Sequence, residues 1–282
     1  MLPVLLSPVL ALLLGAAPAP DLPHFTIERP AALGGRAVGG QLPIVRVTVA
    51  GREGLFLFDT GASDTVLGRH FAEALGLAGG SAGAGSDSGG NAVAARSIEN
   101  VDIAIGTVRR HFPRLVVASI GPLEALGIDG VISPQSLVGP ACLRIGFDTG
   151  IAMLAPASSP ACTLEGATVS IGADRRPHID AGDMTGASAD FLLDSGAWRT
   201  ALPAGFASDT PALGNEAHGG VAGPTTRSDL IGPVSLQLGG KPVRLESVRR
   251  AAPGKGGVIG FDLLARAVLL LRPDKEARLL FP

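Results

Sequence analysis

The sequence predicts a mostly-β chain folded as two matching lobes, and three observations predict it. Residues 56–67 (Phe-Leu-Phe-Asp-Thr-Gly-Ala-Ser-Asp-Thr-Val-Leu) recur as residues 191–202 (Phe-Leu-Leu-Asp-Ser-Gly-Ala-Trp-Arg-Thr-Ala-Leu), with seven of twelve positions identical. Later in each half, Gly130–Leu137 (Gly-Val-Ile-Ser-Pro-Gln-Ser-Leu) recurs as Gly257–Leu264 (Gly-Val-Ile-Gly-Phe-Asp-Leu-Leu). The 40 Gly and 22 Pro suit a turn-rich chain of short strands better than a helical bundle. Two signals in the same order imply duplication, and a repeat count of two implies a bilobal chain and not a solenoid. At 282 residues there is enough chain for two compact lobes, each with its own core.

The elements follow in order. Leu2–Leu14 is apolar and interrupted by Pro3 and Pro8, and the small residues Gly15–Ala19 follow. That run is too short to span a bilayer, so residues 1–19 read as an export signal, although no Lys or Arg precedes it. Residues 20–41 are punctuated by Pro and Gly and read as a linker. The first lobe is expected over 42–155. Ile44–Val49 alternates as a half-buried strand does, Ala50–Gly54 turns, and Leu55–Phe58 runs up to Asp59. Phe71, Ala74 and Leu75 have helical spacing within 69–77. Residues 79–92 are Gly- and Ser-rich with almost nothing to bury, which reads as a flexible loop. Strand-like runs return at 101–105 and 114–118. Residues 156–163 read as the connection between lobes. The second lobe, 164–282, repeats the order: strand, turn, Asp194 loop, short helix, a polar Gly-rich stretch at 214–229, then strands near 233–238 and 242–248. Each lobe closes on a hairpin, Leu143–Leu154 and Val268–Phe281.

Composition narrows the chemistry. With 46% hydrophobic and 17% charged residues the chain is globular, and a net charge of −2 gives no electrostatic reason to expect nucleic acid. The five His show no zinc-ligand spacing, and no S-x-x-K is present for a serine nucleophile. Cys142 and Cys162 read either as one disulfide closing a modest loop or as two unrelated buried thiols.

The duplicated Asp-Thr/Ser-Gly is the chemical signal. Two carboxylates brought to contact cannot both ionise, so they share a proton, and an acid and a base then stand side by side at one pH. A third copy, Phe147-Asp148-Thr149-Gly150, follows the closing element of the first half and matches Arg272–Lys275 in the second. Asp-Thr-Gly is good turn chemistry, so Asp148 is expected to be a structural turn residue.

Phe58-Asp59-Thr60-Gly61-Ala62, Leu193-Asp194-Ser195-Gly196-Ala197 and the two closing elements resemble the aspartic proteases, pepsin-like and retropepsin-like, in a bacterial form with two fused lobes. The resemblance covers most of the chain from about residue 40. It implies an acid-protease fold with pseudo-twofold symmetry and short helices. It also implies catalysis by Asp59 and Asp194, with Thr60, Gly61, Ser195 and Gly196 supporting the dyad. Ala62, Ala197, Trp198, Gly83 and Gly85 become candidates for the substrate cleft. The implied activity is endopeptidase action on an extended polypeptide, by a monomer that is periplasmic or secreted, without cofactor or metal.

Several positions depart from the family. Ser133 stands where a Gly is usual, and its hydroxymethyl is expected either to be tolerated or to displace the Asp59 loop. The chain has no Tyr, hence no flap Tyr. Ala62 and Ala197 replace hydroxyl residues, which leaves fewer hydrogen bonds to the carboxylates and implies an optimum nearer weakly acidic or neutral pH. Trp198 is expected to pack between lobes, with a subsite wall as the alternative, because a lone Trp is more often core. The competing functional reading is a catalytically silent module that binds a peptide or envelope component on the same fold.

Overall fold

Apolar alternation sets the first elements. The computed structural model describes residues 22–77, 79–87, 90–221 and 225–281, and the expected export signal lies outside them. Strand β1 (His24–Thr26) and the small hairpin of β2 (Ala32–Leu33) and β3 (Arg36–Ala37) occupy the stretch expected to be a linker. That expectation is corrected: β1 pairs antiparallel with residues 151–153, and Phe25, Ile27 and Leu33 are buried. Phe25 and Ile27 stand two apart and so face one side, and their burial outweighs the Pro and Gly around them.

The first repeat forms β4 (Ile44–Val49), β5 (Arg52–Phe58), β6 (Val66–Gly68), helix α1 (Arg69–Ala74), β7 (Ser81–Ser86), β8 (Ala92–Ile105), β9 (Val108–Ala118), the helical turn α2 (Gly121–Glu124), β10 (Gly130–Ile132) and α3 (Gln135–Val138). Its sheet runs β4-β5-β10-β6-β9-β8-β7, with β4 also meeting β8. Val45, Val47 and Val49 of β4 point into the core. The stretch expected to be a flexible loop is instead a strand. β7 pairs with β8 from Ser81↔Ser97 to Ser86↔Ala92, and all six of its residues are exposed. Backbone pairing alone holds it, so no apolar period marks it in the sequence.

The first repeat closes on β11 (Ala141–Gly146) and β12 (Ile151–Pro156); after a 3-10 turn (Pro160–Cys162) the second repeat forms β13 (Ala167–Ile171), β14 (Pro177–Asp183), β15 (Ser188–Leu193), β16 (Ala201–Leu202), β17 (Ala212–His218), β18 (Thr226–Ile231), β19 (Val234–Leu238), β20 (Lys241–Leu245), β21 (Val248–Arg250), β22 (Gly257–Ile259), α4 (Phe261–Leu264), β23 (Val268–Leu271) and β24 (Glu276–Leu280). The polar stretch 214–229 thus carries the β17–β18 hairpin. β11 pairs with β12 on one side and β23 on the other, so the closing hairpins of the two repeats share one sheet. Cys142 and Cys162 form a disulfide that ties β11 to the 3-10 turn.

Corresponding strands pair alike in the two repeats. β10 runs parallel to β5 with Ile132 opposite Phe58, and β22 runs parallel to β15 with Ile259 opposite Leu193. A row of edge-to-face rings backs this arrangement: Phe25–Phe58 at 5.5 Å, Phe58–Phe147 at 6.3 Å and Phe147–Phe261 at 5.7 Å. Phe147 is therefore a core anchor. The adjoining Asp148 is exposed in a turn, where it accepts the Thr149 N–H at 2.9 Å, as turn chemistry predicts.

Candidate active site

Each aspartate sits one residue past the end of a buried strand. The Asp59 N–H donates to Ile132 O at 2.9 Å and the Asp194 N–H to Ile259 O at 3.0 Å, so each loop leaves its sheet at the same point. Both chains then turn tightly. The Gly61 N–H donates to Asp59 Oδ1 at 2.7 Å, and the Gly196 and Ala197 N–H groups donate to Asp194 Oδ1 at 3.0 Å each.

The two loops hold each other reciprocally. The Thr60 N–H donates to Ser195 Oγ at 3.0 Å and the Ser195 N–H to Thr60 Oγ1 at 2.9 Å. Each hydroxyl passes its own proton onward across the interface, Thr60 Oγ1 to Leu193 O and Ser195 Oγ to Phe58 O, both at 2.7 Å. Thr60 and Ser195 are fully buried, so the three groups on each side, an N–H, a hydroxyl and a carbonyl, depend on this exchange.

The grip brings the carboxylates face to face. A Cβ on Gly196 would stand 2.6 Å from Asp59 Cγ, and one on Gly61 would stand 2.5 Å from Asp194 Oδ1. Only glycine fits at either position. The two carboxyl groups hydrogen-bond to one another, and Asp59 is pushed well above the usual carboxylate range. Burial is the largest cause, then the charge of Asp194 and the hydrogen bond with it; the Gly61 and Gly196 N–H groups pull the other way. The pair therefore retains a proton at a pH where an isolated aspartate has lost it.

The supports behind the loops differ. On the first side the Ser133 hydroxyl donates to Gln135 Oε1 at 3.1 Å, and Gln135 Nε2 donates to Thr60 O at 2.7 Å. Ser133 is buried and its N–H reaches Thr65 Oγ1 at 3.1 Å. Its hydroxymethyl is tolerated and joins a chain ending on the Asp59 loop. On the second side Gly260 has no room for a side chain, since a Cβ would meet the Thr200 N at 2.6 Å. There Asp262 Oδ1 accepts both the N–H and the hydroxyl of Thr200 at 2.8 Å, and burial raises the Asp262 carboxyl.

The remaining candidates fall in different places. Ala62 is half-buried against the cluster of Leu33, Ile44, Leu57, Ile128 and Val131. Ala197 binds Asp194 through its N–H and accepts the Phe261 N–H at 2.7 Å. Gly83 and Gly85 lie on β7 opposite Ala95 and Val93, in a hairpin and not in the aspartate loops. Trp198 corrects its expectation: it is 39% exposed, one of four large apolar residues on the surface among those described. The turn that carries it is fixed through its backbone, with Asp262 N–H donating to Trp198 O, which leaves the ring outside the core.

Sequence reasoning passed over several residues that complete the site. Thr65 and Thr200 were identical in both copies, and Gln135 and Asp262 occupy one aligned position, so alignment of the repeats could have found them. Arg199, Glu216 and Arg249 form a charged cluster beside the second loop, and no repeat signal marks them. The β7–β8 and β17–β18 hairpins also meet, because a Cβ on Gly220 would collide with the Asp87 carboxylate. Among the described residues no group of three or more His, Cys, Asp or Glu is placed to hold a metal ion.

No curated protein matches the chain. Residues 45–139, which include Asp59 and the first closing element and end before Asp194, match the family model described as aspartyl protease. That match supports an aspartyl protease family, and a protease of the hydrolase class, for this chain.

Proposed function

We propose that the protein is an aspartic endopeptidase with a bilobal acid-protease fold, whose reacting pair is Asp59 and Asp194. The observation that carries this reading is the reciprocal Thr60–Ser195 grip, which holds two carboxyl groups against each other at the junction of the repeats. The ionised member of the pair takes a proton from a water as its oxygen attacks the peptide carbonyl carbon. The protonated member gives its proton to the carbonyl oxygen, forming a gem-diol. Collapse of the gem-diol breaks the C–N bond, the amine nitrogen takes a proton, and the pair returns to its starting state. No covalent intermediate forms. Gly61 and Gly196 N–H groups steady the pair as its charge moves.

The substrate in this reading is a polypeptide lying as an extended strand between the β7–β8 and β17–β18 hairpins, whose contact through Asp87 and Gly220 supports a roofed cleft. Both aspartates belong to one chain, so a monomer suffices. The apolar N-terminal run and the Cys142–Cys162 disulfide support export to an oxidising compartment.

The test is cleavage of a mixed peptide library from pH 3 to 8 by wild type, Asp59→Asn and Asp194→Asn, with and without a statine-type transition-state analogue. Wild type is expected to cleave and to be blocked by the analogue, with each variant falling below roughly a thousandth of its rate. Retained cleavage by either variant, or none by folded wild type at any pH, refutes the proposal.

A further inference from the structure

The two hairpins that meet beside the site are built from unlike side chains. β7 is Ser-Ala-Gly-Ala-Gly-Ser, entirely exposed and without charge. β17 is Ala-Leu-Gly-Asn-Glu-Ala-His, and strand alternation turns Glu216 and His218, both half-buried, to one face. From that face Glu216 grips the second aspartate loop. Arg199 Nε donates to Glu216 Oε1 at 3.1 Å and Oε2 at 3.0 Å, and the Arg249 Nε lies 3.8 Å from Oε2. Both guanidinium groups are anchored in turn: Arg199 Nη1 donates to Ser247 Oγ at 2.7 Å and Arg249 Nη2 to Arg199 O at 3.1 Å. Arg199 belongs to the Asp194 loop itself, and the next residue, Thr200, is locked to Asp262.

The first repeat lacks this cluster. Strand register puts Val116 at the place of Arg249, since Val66 pairs with Val116 as Ala201 pairs with Arg249. Arg199 has Asp64 as its counterpart, and that carboxylate pairs with Arg175 at 2.5 Å, on the turn between β13 and β14.

We propose that Glu216 is a positioning residue that fixes the β17–β18 hairpin to the loop carrying Asp194 as a rigid wall. The mechanical part stands on the contacts above, and its effect on turnover rests on the reading of Asp59 and Asp194 as the reacting pair. A half-buried carboxylate between two guanidinium groups is held more strongly than neutral hydrogen bonds would hold it, and its removal leaves the buried Arg249 without that charge.

Hydrogen exchange on the full chain tests it. Amides of 212–218 and 226–231 are expected to exchange at least about tenfold faster in Glu216→Ala than in wild type, while those of β11 and β23 stay unchanged. Glu216→Gln, which keeps one acceptor oxygen, is expected to recover part of that protection. In peptide cleavage KM is expected to rise about tenfold in Glu216→Ala with kcat within about twofold, because the loosened wall must then be ordered as peptide binds. Arg199→Ala gives the same exchange change and serves if Glu216→Ala does not fold. Unchanged exchange of 212–218 and 226–231 in both variants overturns the proposal. Exchange needs no turnover, so a wild type that cleaves nothing counts against the proposed function while the exchange comparison still decides this inference.

Discussion

Replacing Thr60 by Val tests whether the grip between the loops is what holds the site. Thr60 is fully buried, and its hydroxyl accepts the Ser195 N–H and donates to Leu193 O. Val has nearly the same shape and neither bond, so the Ser195 N–H and the Leu193 carbonyl are both stranded away from water. Each buried group left unpaired costs about 1–3 kcal/mol, so the loss is about 2–6 kcal/mol. A domain stable by about 5–15 kcal/mol shows that plainly. Urea unfolding followed by the fluorescence of the lone Trp198 and by circular dichroism measures it. Thr60→Ser keeps the hydroxyl and loses one methyl, so it should stay within about 1.5 kcal/mol of wild type. Ser195→Ala strands the mirror pair, the Thr60 N–H and the Phe58 carbonyl, and should fall in the same range as Thr60→Val. A Thr60→Val protein within about 0.5 kcal/mol of wild type would refute the reasoning, because the bonds would then contribute nothing net.

Two further outcomes follow from the same geometry. Asp59 is raised by burial and by Asp194, so the folded state holds its proton more tightly than the unfolded chain does. Its stabilisation is complete at and below the ordinary carboxylate range and is lost as pH rises through the raised value, at up to about 1.4 kcal/mol per pH unit for one proton. Asp59→Asn should therefore be more stable than wild type at pH 7, with a flatter dependence of the urea midpoint on pH; a less stable variant with the wild-type slope would contradict this. Gly260→Ala drives a Cβ into the backbone at Arg199 and Thr200 and should cost about 3 kcal/mol or more, whereas Ser133→Ala loses one hydroxyl and should cost about 1 kcal/mol. Thermal melting of the two variants side by side checks the contrast, and equal losses would show that the supports behind the loops are equivalent after all.

What the sequence disclosed follows from where side chains carry the information. The aspartate loops, the closing elements and the strands of 44–49 and 143–154 are specified by apolar spacing or by identity between copies, and both are visible in one dimension. β7 escaped because its partner is the backbone of β8, and backbone pairing leaves no mark on a run of Gly, Ala and Ser. β1 escaped because Phe25 and Ile27 are only two apolar residues among turn formers, and their pairing strand lies far along the chain. Trp198 was misjudged because type alone predicts burial, whereas its position in a backbone-fixed turn leaves the ring outside. The Glu216–Arg199–Arg249 cluster joins β17, the second loop and β21, and only the fold brings these together.

The seam between the repeats, β11 against β23, has a consequence for how the two copies have come to differ. It is a ladder of main-chain hydrogen bonds, Leu143 opposite Leu271 through Gly146 opposite Val268, and such a ladder is indifferent to most side-chain changes. An assembly of two separate identical subunits would have to place every substitution on both sides of the cleft at once. Joined in one chain, each copy can differ alone: Arg249 stands against Val116, Asp262 against Gln135, Trp198 against Ser63. Covalent linkage thus turns a duplicated scaffold into one with a left and a right hand, so that a peptide in the proposed cleft would meet a different wall at each end.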